Sequence, residues 1–350
     1  MIPIQNIYYM LSYAFQVLNE QGYKSVATES FENVAELCAA ILTKGIAKQI
    51  KQGLGRAYIE ETETLSTLRG RLEITQSIQS GSLFRKQMVC THDEYSVNSY
   101  LNRILKTTMM LLLRSDISKT RKKPLKKLLI FFAEVEELDV HTIRWNVPYN
   151  RNNQTYQMLI AVCQLVIKGL LQTQSDGTTK LMDFLDEQRE CRLYEKFILE
   201  YYRKHYPQLS ARASQIPWAL DDDSRDMLPT MQTDIVLKHG HQTLIIDAKY
   251  YTQTTQELYG VRTLRSNNLY QIFTYVKNLT AAQNDPDQTV SGMLLYAHTD
   301  EALQPDNVYQ MSGNQISVKT LDLNCDFARI ATQLNRIVEE YFGFNDTIKN

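Results

Sequence analysis

The sequence predicts an α/β protein in two parts, and three observations lead there. Two apolar, β-branched runs, Thr233-Asp234-Ile235-Val236-Leu237 and Leu244-Ile245-Ile246-Asp247-Ala248-Lys249, flank the short polar turn Lys238-His239-Gly240-His241, the pattern of a buried hairpin. Longer segments with helical apolar spacing lie on both sides of it. The polar run Gln172-Thr173-Gln174-Ser175-Asp176-Gly177-Thr178-Thr179 reads as a linker. It divides 350 residues into 1–175 and 176–350, each large enough for its own core.

Composition narrows the class. Apolar residues make up 43% and charged residues 22%, ordinary values for a soluble globular protein. The formal charge of −1 means that any basic surface is local and balanced by carboxylates elsewhere. Cys38, Cys90, Cys163, Cys191 and Cys325 are scattered without C-x-x-C spacing, which predicts free thiols in a reducing cytoplasm and no zinc site. No basic n-region precedes a long apolar core, and no apolar stretch reaches the roughly 18 residues of a membrane span. No Walker A sequence is present, so nucleotide hydrolysis is not expected of this chain.

The elements follow in order. Ile4 to Leu18 has the apolar spacing of a helix and carries a dense aromatic run, Tyr8-Tyr9-Met10-Leu11-Ser12-Tyr13-Ala14-Phe15. A second helix is expected from Phe31 to Gln52, stopped by Gly53 and Gly55. Arg56 to Leu65 reads as a strand. In Leu68-Arg69-Gly70-Arg71-Leu72-Glu73-Ile74, Arg69 and Arg71 suit contact with phosphate or with a partner's carboxylates, and equally a solvated strand end. Asp93 to Leu113 reads as a helix packed within the N-terminal part. The basic run Lys119 to Lys127 reads as a solvated connector, and is also the best local place for contact with a DNA backbone. Helices are expected over Gln154 to Leu171 and Glu190 to His205, then the hairpin, then a polar connection from Tyr250 to Ser266. Asn267 to Tyr275 reads as a helix, Met293 to Ala297 and Ile316 to Leu321 as strands, and Phe327 to Phe342 as a closing helix.

The hairpin holds the chemistry. Asp247 and Lys249 are two positions apart and so share one face of a strand. Asp234 begins the neighbouring strand, and the fold-back brings all three heads to one edge. Charges at the ends of apolar strands are costly to desolvate unless they pair or hold a metal. A simple salt bridge satisfies that rule. So do two carboxylates binding Mg²⁺, with coordination sites left for water and phosphate and a lysine beside them.

The order Asp234, then Asp247-Ala248-Lys249, resembles the core of the PD-(D/E)xK nucleases. Gln271 and Tyr275, four apart on one helical face, resemble the Q-x-x-x-Y pair of their RecB-like branch. Leu193-Tyr194-Glu195-Lys196-Phe197 resembles the helix that adds an acidic residue to that site, which favours Glu195, with Glu200 held in reserve. Pro3-Ile4-Gln5-Asn6-Ile7-Tyr8-Tyr9-Met10-Leu11-Ser12-Tyr13-Ala14 closely resembles the opening of the McrC family. Leu68 to Ile74 also resembles an McrC signature. Asn98-Ser99-Tyr100-Leu101-Asn102-Arg103-Ile104-Leu105-Lys106 resembles the family's D-x-x-x-N-R-x-x-K helix, with Asn98 where that pattern has aspartate.

The resemblance implies an α+β N-terminal region that docks on a partner, and a PD-(D/E)xK restriction-endonuclease-like domain with a mixed sheet flanked by helices. It implies a Mg²⁺-dependent endonuclease in which Asp234 and Asp247 ligate the metal. Lys249 orients or activates water, Glu195 supports the network, and Gln271 and Tyr275 position substrate. The implied partners are an McrB-like AAA+ GTPase hexamer, which binds the GTP and is stimulated by this chain, and double-stranded DNA with modified cytosine. Two alternatives stand beside this reading: a non-catalytic adaptor that regulates the GTPase, and a free-standing RecB-like repair nuclease.

Overall fold

The computed structural model of the protein describes residues 2–19, 23, 26, 29, 31–151, 153–176, 187–222, 224–251, 253–258, 261–283, 285 and 287–344. The chain forms two compact units, Gln21–Phe184 and a second made of Met1–Glu20 with Leu185–Asn350. The boundary after Phe184 lies nine residues beyond the expected division at residue 175. The first twenty residues belong with the second half of the chain.

The reason is the aromatic face of α1 (Ile4–Ala14). Tyr13 stacks on Phe327 with ring centroids 5.6 Å apart, and its hydroxyl lies 2.7 Å from His205 Nε2. Asn6, itself buried, donates to the carbonyls of Leu323 at 2.9 Å and Cys325 at 2.7 Å. A helix settles where its apolar stripe and polar groups are matched, whatever its place in the chain.

In the other unit the first fully described helix is α2 (Val34–Gln52). Asn33 caps it by accepting from the Glu36 N–H at 2.9 Å, and Gly53 ends it at φ +93°. Next come β1 (Ala57–Leu65), β2 (Arg71–Leu72), α3 (Ile74–Gln79) and β3 (Met88–Ser96), with the three strands in the antiparallel order β1-β3-β2. Residues 93–96 are therefore strand, not the start of a helix, because they complete the ladder Ala57↔Ser96 to Glu60↔Asp93. The helix α4 (Tyr100–Arg114) begins only after the turn at Asn98.

The basic run is likewise not a connector but α5 (Lys119–Leu129), anchored by fully buried Leu125. The last helix of this unit, α6 (Tyr156–Asp176), runs into the expected linker, whose remainder lies outside the described residues.

The signature residues of α4 are structural. Asn102, fully buried, donates to the carbonyls of Gly55 and Val97, each at 2.8 Å, and accepts from the Tyr156 hydroxyl at 2.7 Å. That hydroxyl in turn accepts from the Gly55 N–H at 2.7 Å. Arg103 pairs with Glu136 at 3.2 Å, and Lys106 donates to the carbonyls of Phe132 and Val135. Asn98 accepts from the Glu136 N–H at 2.9 Å, a role that needs an oxygen and no charge.

The second unit continues with α7 (Glu187–His205), the short pair β4 (Gln215–Ile216) and β5 (Met231–Gln232), and the hairpin β6 (Ile235–His239) and β7 (Gln242–Lys249). The hairpin turn is shorter than expected. Only Gly240 and His241 lie between the paired His239 and Gln242, with Gly240 at φ +54°.

The polar connection after Lys249 forms a second hairpin, β8 (Thr255–Leu258) and β9 (Val261–Leu264), which its β-branched residues permit. Then come α8 (Ser266–Ala281), β10 (Thr289–Ala297), β11 (Asn307–Met311), β12 (Asn314–Leu321) and α9 (Phe327–Phe342).

The main sheet has the order β11-β12-β10-β7-β6 and is mixed. Strands β7, β10 and β12 run parallel, and β6 and β11 pair antiparallel at the two edges. One face packs on α8 through Ile272, Tyr275 and Val276. Gly292 makes that approach possible: a Cβ there would meet Ile272 Cγ1 and Val276 Cγ2 at 2.8 Å. The opposite face is covered by Met10 of α1, by Tyr194, Phe197, Ile198, Tyr201 and Tyr202 of α7, and by Leu334, Ile337 and Val338 of α9. The sheet is thus sandwiched between helices, as the sequence predicts for an α/β unit.

Candidate active site

The β6–β7 register decides the geometry. Ile235 pairs with Ile246, so Asp234, one residue before β6, falls opposite Asp247. The N–H of Ala248 donates to Asp234 Oδ2 at 2.9 Å and fixes that carboxyl at the sheet edge. Alternation along β7 sends Leu244, Ile246 and Ala248 to the core against α7 and α9, and Asp247 with Lys249 to the α8 side.

Asp247 is 1% exposed and Lys249 12%, with Lys249 Nζ 2.8 Å from Asp247 Oδ2. The Lys249 ammonium and the Asp234 carboxyl both bear on Asp247, which otherwise has no aligned donor. A buried carboxylate in that condition has unused acceptor capacity.

The electrostatics follow from burial. Asp234 is pushed up to about 8, first by desolvation, then by the charges of Asp247 and Glu195, against the opposing pull of Lys249 and the Ala248 N–H. Burial also raises Asp247, while Lys249 and the Asp234 carboxyl draw it down. For Lys249 burial acts downward, but Asp247 and Asp234 outweigh it and hold the side chain as an ammonium. Two carboxyls side by side cannot both ionise cheaply without a further positive charge. Among the described residues no three His, Cys, Asp or Glu side chains form a ready-made cage. A pair of carboxyls with open positions fits Mg²⁺, which keeps several waters and takes substrate oxygens.

From the α8 side, Gln271 Nε2 donates to the Tyr275 hydroxyl at 2.9 Å, and that hydroxyl donates to the Gln232 carbonyl at 3.0 Å. Tyr275 is raised by burial and feels the charges of Asp247 and Asp234, so it belongs to the same cluster. From the opposite side, Glu195 of α7 contributes its charge at Asp234, whereas Glu200 pairs with Arg203 at 2.6 Å.

The structure thus brings Asp234, Asp247, Lys249, Gln271 and Tyr275 together, with Glu195 in electrostatic reach. Arg71 lies on β2 of the other unit's small sheet, and Arg69 on the chain just before it. Arg71 contacts Glu73 at 2.8 Å and Glu60 at 3.6 Å, and Arg69 contacts Glu94 at 3.8 Å. Between them Gly70 is at φ +70°, where a Cβ would lie 2.4 Å from the Thr91 carbonyl oxygen.

Two groups near the site escape a reading of the sequence. Asn268, buried on α8, donates to the Tyr296 hydroxyl at 2.9 Å and accepts from that of Tyr251 at 3.2 Å. Tyr296 is the strand neighbour of Lys249. The available signal is a lone amide three residues before Gln271 in an otherwise apolar stripe. The second is Glu301, which accepts from the N–H and hydroxyl of Thr254 and the hydroxyl of Thr255, each at 2.6 Å. It ties the chain leaving Lys249 to the segment after β10, and no local pattern announces it.

A mixed sheet between helices, with a charged hairpin at its edge, is an α/β fold. The chain belongs to the McrBC family, described as McrBC 5-methylcytosine restriction system component, whose model matches residues 5–297. It is 28% identical over 348 residues to the type IV methyl-directed restriction enzyme EcoKMcrBC of Escherichia coli K12, covering 97% of this chain and 98% of that protein. Two solved structures from Thermococcus gammatolerans also align. A half-complex of McrB AAA+ hexamers with bound McrC gives 17% identity, 96% of this chain, 76% of that chain and a TM-score of 0.45. The McrBC complex gives 19% identity, 49% of this chain, 55% of that chain and a TM-score of 0.35. Among the described residues no helix is long and apolar enough to cross a membrane.

Proposed function

We propose that this chain is the DNA-cutting subunit of a modification-dependent restriction complex, a Mg²⁺-dependent endonuclease of the PD-(D/E)xK type that works with an McrB-like AAA+ GTPase. One observation carries the proposal. Asp247 is 1% exposed and faces Asp234, with the single ammonium of Lys249 beside the two carboxyls and the charge of Glu195 in reach. Such a cluster is electrostatically frustrated by itself and is relieved by a divalent cation. Asp234 and Asp247 would hold that ion.

When bound, the ion supplies Lewis-acid charge at the scissile phosphate. Lys249, kept as an ammonium, orients a water and donates to a phosphate oxygen, where negative charge develops. Glu195 adds negative potential at Asp234 and so favours a positive charge there. Gln271 and Tyr275 brace the edge against the Gln232 carbonyl and keep the reacting groups aligned. Membership of the McrBC family supports DNA containing modified cytosine as substrate and a GTPase as partner.

The test is an assay of methylated DNA with Mg²⁺ and GTP, with and without the AAA+ partner. Partner-dependent cutting that disappears in Asp247→Ala supports the proposal. Stimulation of the GTPase without cutting makes the chain an adaptor, and cutting without the partner makes it a free-standing nuclease.

A further inference from the structure

The densest positive charge in the chain lies outside the catalytic unit, on α5. At about 100° per residue, Lys119, Lys122, Lys123, Lys126 and Lys127 fall within one arc of about 140°, and buried Leu125 lies outside it. Lys119, Lys123, Lys126 and Lys127 are exposed. Arg121 points the other way and is neutralised by Glu29, with its guanidinium over the Phe31 ring at 5.2 Å. Among the described residues none of the five lysines has an ion-pair partner. A protein of net charge −1 therefore concentrates five lysines on one helical face, without an ion-pair partner among the described residues.

We infer that this face of α5 binds the phosphate backbone of double-stranded DNA. The stripe from Lys119 to Lys127 is about 12 Å long at the helical rise. At 3.4 Å per nucleotide along one strand, that length runs beside roughly three phosphates. Ammonium groups on flexible stems contact phosphates as point charges and read no sequence. The surface thus supplies affinity and register on the duplex and leaves cutting to the carboxylate site. The inference rests on DNA being the substrate, as proposed above, and not on the chemistry at Asp247.

The experiment is binding of a 30-base-pair duplex of arbitrary sequence to the full chain in chelator, followed across salt concentration. Lysines on the backbone release counterions, so the slope of log K against log salt falls by about 0.9 for each phosphate no longer neutralised. The variant combining K119Q, K123Q, K126Q and K127Q is expected to flatten the slope by the equivalent of at least two phosphates, and the matching arginine variant to keep it. Should the quadruple variant unfold, K123Q and K127Q singly read the same slope, each about 0.9 lower.

An unchanged slope, or no duplex binding by the unaltered chain, overturns the inference and leaves an acidic protein surface as the occupant. Because no metal is present and no bond is cut, failure of the nuclease proposal leaves this readout untouched. Failure here likewise leaves the carboxylate site untouched.

Discussion

Asp234 faces Asp247 across the hairpin, and the Ala248 N–H holds the Asp234 carboxyl in place at 2.9 Å. With its pKa raised to about 8, Asp234 carries a proton at pH 7 when no cation is bound. Asp234→Asn then replaces a neutral acid by a neutral amide that still accepts from Ala248. Its stability at pH 7 is expected to stay within about 0.5 kcal/mol of the unaltered protein while DNA cutting is lost. Thermal unfolding and a cleavage assay on the same preparation check both halves. A large loss of stability would mean that the carboxyl is ionised and structural.

Lys249→Met leaves the Asp247 carboxylate buried without its counter-charge. Breaking such a pair costs about 3–5 kcal/mol, partly recovered if Asp247 takes up a proton. Denaturant unfolding at pH 5 and pH 8 separates the two contributions, with the larger loss expected at pH 8.

Tyr275→Phe removes the hydroxyl that links Gln271 to the Gln232 carbonyl. The expected cost is about 1 kcal/mol of stability, with a fall in the cleavage rate at saturating DNA and little change in DNA binding. Equal cutting by the variant would reduce the pair to packing.

Asn102→Ala strips three hydrogen bonds from a fully buried amide and leaves the Gly55 and Val97 carbonyls and the Tyr156 hydroxyl without it. A loss of about 2–4 kcal/mol is expected. Hydrogen exchange should report the opening around residues 55, 97 and 156, and not in the hairpin.

Glu301 gives a pH signature. Burial works against its ionisation, but donors from Thr254, Thr255 and Thr299 outweigh that and hold it down at about 2. A carboxyl lowered in the folded state stabilises above its ordinary pKa near 4.5, and that contribution is lost as pH falls towards 2. Glu301→Gln should therefore lower the unfolding midpoint at pH 7 and flatten its decline over the acid range. A parallel acid limb in both proteins would show that the latch is not titrating.

The parts of this protein legible in its sequence are those set by short-range periodicity. The strand alternation that turns Asp247 and Lys249 to one side, and the four-residue spacing of Gln271 and Tyr275, are properties of one element each. Asp234 can be added because a tight hairpin fixes its register. What is not legible depends on long-range matching. Nothing near Asn6 says that its amide will meet Leu323 and Cys325, and nothing near Glu301 names Thr254. The basic helix is hidden because lysine content argues for solvent while Leu125 alone argues for burial. Residues 93–96 are hidden as strand because their partner lies more than thirty residues upstream.

The pairing of Asn6 with Leu323 and Cys325 also bears on how the chain is made. The helix that carries Asn6 completes its packing only once residues 317 positions further along the chain have been made. A nick between the units would leave α1 held on Phe327, and a fragment starting at Leu185 would expose the aromatic surface around Phe327 to self-association. Supplying residues 1–20 as a separate peptide should restore that fragment's solubility.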